Sequence, residues 1–104
     1  MAFPILEQQL LLKGCLDGDP KKLRDFEDRS YLRTIRRAVR EVLETRLEKE
    51  DVDDAINLVV QAVYRGWNTL PSDGDLRERI RSYAVAVAER FYGQWTDHHL
   101  RTEP

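Results

Sequence analysis

Arginine is the residue type through which this chain is best equipped to act on another molecule. Arg29, Arg33, Arg36, Arg37 and Arg40 fall in one short segment, and Arg77, Arg79, Arg81 and Arg90 in another. A guanidinium keeps its charge at any working pH and presents a planar fork of donors that fits phosphate and carboxylate. Contacts to a nucleic-acid backbone would give affinity that depends on salt and ignores sequence. The first row also reads as a solvated helix face, balanced by Glu27, Glu41 and Glu44. Covalent chemistry is poorly provided for. There is no Gly-rich phosphate loop, no metal-ligand spacing and no nucleophile with a neighbouring base. His98 and His99 are adjacent and point apart on a helix. The acidic run from Glu48 to Asp54 suits the positive N-terminus of a helix better than paired-carboxylate catalysis. The expectation is a protein that is not an enzyme and needs no cofactor and no metal.

Composition sets the frame for these residues. The chain has 104 residues, enough for one domain with a single small core. Charged residues make up 35% of it, yet the net charge is only −2. That balance describes a helical protein rich in ion pairs rather than a generally basic nucleic-acid binder. The single cysteine, Cys15, excludes an internal disulfide and reads as a small buried hydrophobe. A reducing cytoplasm fits. No apolar run approaches the roughly 20 residues that span a bilayer, and the first residues lack a basic signal-peptide segment.

Helix signals dominate. A first helix is expected from about Pro4 to Cys15, with Leu6, Leu10 and Leu11 inward and stops at Gly14 and Gly18. Asp19-Pro20 announces the second, as a cap followed by a first-turn proline. Its apolar stripe is Leu23, Phe26, Leu32, Ile35, Val39, Val42 and Leu43, with a kink or break near Asp28-Arg29-Ser30. A third helix opens at Asp51 and ends near Leu70, before the turn Pro71-Ser72-Asp73-Gly74. Asp75 caps the fourth, with Glu78 placed for a capping box. Leu76, Ile80, Tyr83, Ala84, Val87, Phe91 and Trp95 form its inward stripe. The architecture expected is a compact all-α bundle of three to four helices over residues 1–95, followed by a polar tail over 96–104.

The segment Asp54-Ala55-Ile56-Asn57-Leu58-Val59-Val60-Gln61-Ala62-Val63-Tyr64-Arg65-Gly66-Trp67 resembles a helix of region 2 in bacterial sigma-70 factors, especially the extracytoplasmic-function group. Leu10 to Pro20 is similar to that family's opening helix and Gly-Asp-Pro turn. Leu23 to Val42 resembles its long Arg-dotted helix, and Leu76 to Tyr92 its promoter-reading helix. The resemblance implies a divergent region 2, either stand-alone or an excised fragment, that docks on the β′ clamp helices of RNA polymerase. Asp54, Ile56, Asn57, Val60, Gln61 and Tyr64 would then carry the polymerase or partner contact. Arg77, Arg79, Arg81 and Arg90 would meet promoter DNA.

The departures from the family pattern are specific. Ile56, Asn57, Val60 and Gln61 stand where the family carries acidic and amide residues. Arg79 and Ala86 stand where it carries an aromatic and an Asn that capture flipped bases. Strong promoter melting is therefore not expected. Ala55, Val59, Ala62, Val63 and Trp67 form one core-facing stripe, and Ile56, Val60 and Tyr64 a second that either lies in the core or makes an interface. Two readings follow. One is a transcription protein that docks on polymerase with weak or partner-dependent contact to the −10 element. The other is a sigma-like interaction module that does not bind promoter DNA. Such a module would form a homodimer or bind a regulatory protein, such as an anti-sigma or companion sigma-like factor.

Overall fold

The computed structural model describes residues 5–70 and 75–102, with side chains over 7–70 and 75–97. It is all-helical among the described residues. The order is α1 (Ile5–Leu16), α2 (Pro20–Asp28), α3 (Tyr31–Leu43), α4 (Lys49–Arg65) and α5 (Leu76–Thr102). The expected turn at 71–74 and the expected first-turn residue Pro4 lie outside the described residues.

Each helix boundary has a local cause. The chain closes α1 at Gly18, whose φ of 81° suits a residue without a Cβ. Asp19 then caps α2, its carboxylate accepting from the Lys21 backbone N–H at 3.0 Å, with Pro20 in the first turn. Gly14 lets α2 approach α1, because a Cβ there would stand 2.4 Å from Cγ of Lys22. The long second helix does break, and the break falls at Ser30, in the left-handed region with φ 66°. That conformation is uncommon for a non-glycine residue and ends a right-handed helix. Asp75 accepts from the Glu78 backbone N–H at 2.9 Å and starts α5. With α2 and α3 separate, five helices stand among the described residues where three to four were expected.

α3 packs most extensively against α5, and also against α4 and α2, while α1 packs on α2 and α4. The core contains Phe26, Ile35, Val39, Leu43, Val59, Val63, Leu76 and Ile80, all buried. Burying such side chains contributes on the order of 2 kcal/mol each before the entropy of ordering them. Phe26 sits at a three-helix junction. Its ring centroid is 5.3 Å from Tyr31 of α3 and 5.1 Å from Tyr64 of α4, the latter edge to face.

Two expected core positions and three helix ends move. Leu10 is half exposed, because α1 turns Gln8, Leu11, Leu12 and Cys15 inward instead. Leu23 is also partly exposed, since the short α2 anchors itself through Phe26. Helix α4 starts at Lys49 and stops at Arg65, with turns following to Thr69. Finally, α5 runs on to Thr102, past the boundary that its apolar stripe sets at Trp95.

Candidate functional site

Helix α4 sorts its residues by turn geometry. Val52, Ala55, Ile56, Val59, Val63 and Tyr64 are buried against the other helices. Asp54, Asn57, Leu58, Gln61 and Arg65 are exposed at intervals of three and four, and so share one outward face. Of the six residues expected to bind a partner, Asp54, Asn57 and Gln61 are gathered on this face. Ile56 and Tyr64 are not, and Val60 is half-buried. The second apolar stripe is therefore mostly core. The reason is that α4 is covered on two sides, by α1 with Phe26 and by α3 with α5.

The sequence reading missed Leu58, which is 56% exposed amid polar neighbours. Its signal was available, because Leu58 lies on neither apolar stripe of the helix. An exposed Leu alone means little. Here it stands between Asp54, Asn57 and Gln61, in the arrangement of an apolar anchor with a polar rim.

Tyr64 and Cys15 share the inner side. Cys15 is buried and its Sγ lies 3.4 Å from the Lys22 carbonyl oxygen. Burial, then the carboxylates of Asp25 and Asp19, push its thiol up to about 11. Burial and the neighbouring Cys15 push the Tyr64 phenol up to about 12. Both groups are held neutral, which suits packing and not nucleophilic chemistry.

The four α5 arginines have different fates. Arg79 is buried, and its guanidinium donates to Oε1 of Gln8 in α1. It is turned into the bundle and away from any docked nucleic acid. Arg77 is held in place, donating to the Arg29 carbonyl at 2.9 Å and to Thr34 Oγ1 at 3.1 Å. Its guanidinium also lies 5.1 Å from the Tyr31 ring centroid. Arg81 pairs with Glu41 across the α3–α5 seam at 3.1 Å. Arg90 is exposed farther along α5. Arg77 and Arg81 are thus brought together, while Arg79 and Arg90 are not with them.

The α3 arginines join Arg77 and Arg81. A hollow of about 410 Å³ between α3 and α5 is lined by Ser30, Arg33, Thr34, Arg37, Arg77 and Arg81. A neighbouring hollow of about 460 Å³ along α3 takes in Arg36, Arg40, Glu41 and Glu44. No group of acidic, His and Cys side chains among the described residues is arranged to hold a metal ion. No helix of the described residues is long and apolar enough to cross a membrane. No family model, no curated protein and no solved structure matches this chain. Function must then be read from the two faces themselves, since an all-α bundle by itself implies none.

Proposed function

We propose that this chain is a cytoplasmic transcription protein resembling sigma region 2, and that it docks on the β′ clamp helices of RNA polymerase through the outward face of α4. The observation that supports this reading is the exposed strip Asp54, Asn57, Leu58 and Gln61. Asp54, Asn57 and Gln61 are three of the six positions that the resemblance turns toward polymerase. The strip keeps one acidic and two amide side chains there and adds an apolar anchor. Such a face would take a helical partner that offers cations around an apolar groove.

A specific observation favours docking without promoter melting. Arg79 stands at the position that the resemblance gives to a base-capturing aromatic, and it is buried against Gln8. Tyr31, close to the α3–α5 arginines, is buried beneath Arg77 and offers no ring to a flipped base. The role is then that of a polymerase-bound partner, or of a module that captures another regulatory protein by the same face.

The test is capture of a purified β′ clamp-helix fragment by the full chain. Leu58→Asp and Gln61→Ala should each abolish or strongly weaken capture while leaving the helical signal and melting temperature unchanged. Retained capture in both variants would rule out this face. Failure of the native chain to capture the fragment would rule out the polymerase partner.

A further inference from the structure

The arginines between α3 and α5 lie on a different face from the proposed docking strip and call for their own explanation. The chain is net negative, yet four arginines line one hollow of about 410 Å³ with no acidic side chain in its wall. Like charges that face one hollow repel; Glu41 already offsets Arg81 from outside the wall, and an anion in the hollow would offset the others. One of the four is preorganised. Arg77 is held by the Arg29 carbonyl, the Thr34 hydroxyl and the Tyr31 ring, so little side-chain freedom remains for it to lose when an anion arrives.

The pattern also limits the size of the anion. Arg33 and Arg37 are one helical turn apart on α3, and Arg77 and Arg81 one turn apart on α5, about 6 Å in each case. Beyond that turn carboxylates enter the wall, because the next hollow along α3, which shares Arg33 and Arg37, adds Glu41 and Glu44 beside Arg36 and Arg40. A long phosphodiester track would run into these carboxylates. No exposed aromatic lines the cationic hollow, so a base would find nothing to stack on. The chemistry that fits is compact and multiply charged.

We propose that this hollow binds a small ligand carrying two or more linked phosphates, held by Arg33, Arg37, Arg77 and Arg81. Recognition is of the phosphate chain and not of any group attached to it. Arg81 would exchange part of its pairing with Glu41 for the ligand, so Glu41 acts as a brake on binding.

The experiment is calorimetric titration of the full chain with inorganic tripolyphosphate at low ionic strength. Sulfate serves as the single-anion comparator and a short DNA duplex as the competitor. The expected result is saturable one-to-one binding of tripolyphosphate, with sulfate much weaker. Arg33→Gln and Arg37→Gln are exposed positions whose fold can be checked by circular dichroism, and each should weaken binding about tenfold. Glu41→Gln should tighten it several-fold, and Arg24→Gln, outside the hollow, should not change it. No saturable binding, or binding indifferent to Arg33 and Arg37, would overturn the proposal. So would a duplex that binds more tightly than tripolyphosphate and loses affinity equally with Arg36→Gln and Arg40→Gln, since that pattern belongs to an extended backbone.

Discussion

Helices α3 and α4 do the same work on the inside and opposite work on the outside. Each buries an apolar stripe, Ile35, Ala38, Val39, Val42 and Leu43 on one and Val52, Ala55, Ile56, Val59 and Val63 on the other. Outward, α3 presents Arg33, Arg36, Arg37 and Arg40, while α4 presents Asp54, Asn57, Leu58 and Gln61. Packing requirements cannot produce that difference, because either face could carry any soluble residue. The outward faces record separate demands, and substitutions can separate them from the shared interior.

The largest effect should come from removing what the two helices have in common. Phe26 joins Tyr31 of α3 to Tyr64 of α4. Phe26→Ala should cost about 3–5 kcal/mol in urea unfolding, from lost burial and the cavity left behind. A loss below about 1 kcal/mol would mean that α3 and α4 pack without this junction. Next comes a contrast within α4. Ile56→Ala should cost about 2–4 kcal/mol, whereas Leu58→Ala should stay within about 0.5 kcal/mol and weaken partner capture instead. Equal costs at the two positions would remove the distinction between inner and outer faces. On α3, Arg37→Gln should also stay within about 0.5 kcal/mol, as an exposed charge does. Loss of the exposed Arg81–Glu41 pair by Glu41→Gln should cost less than about 1 kcal/mol. A larger loss at either site would make the arginine row structural.

How far the sequence carried the reading differs between these same helices. The stripe of α3 was legible because its apolar residues recur at three and four, and the break at Ser30 was legible from the polar run Asp28-Arg29-Ser30. Asp19 and Asp75 announced their helices, because cap chemistry is local. The inner faces of α1 and α4 were less legible. Leu10 and Leu11 are interchangeable by composition, and only the packing of α1 on α2 and α4 decides that Leu11 and Leu12 go inward. Whether Ile56 and Tyr64 lay in the core or at an interface stayed open, because the pattern cannot count how many helices cover α4. Arg79 looked like a DNA contact because a charge is normally exposed. Its burial depends on Gln8, 71 residues away. The hollow between α3 and α5 needed two segments whose pairing no local spacing reveals.

The smallest effect tests the interior where α1 meets α4, and its sign can be worked out. The Cys15 thiol is raised from 9.0 to about 11 and the Tyr64 phenol from 10.0 to about 12, in both cases chiefly by burial. Between its ordinary and raised values each group keeps its proton in the folded chain and has lost it in the unfolded one. The folded state then binds more protons, so stability falls as pH rises. The contribution is whole below 9.0, begins to fade there as the unfolded thiol ionises, and is gone above about 12. The difference between the native curve and that of Cys15→Ala leaves the thiol together with its coupling to Tyr64, and it should decline from 9.0 upward. A difference that stayed flat across that interval would place the thiol in contact with water. Because this pair lies on the inner side of α4, the variant should leave partner capture by Leu58 and Gln61 intact, and the alkaline decline would then belong to the shared interior alone.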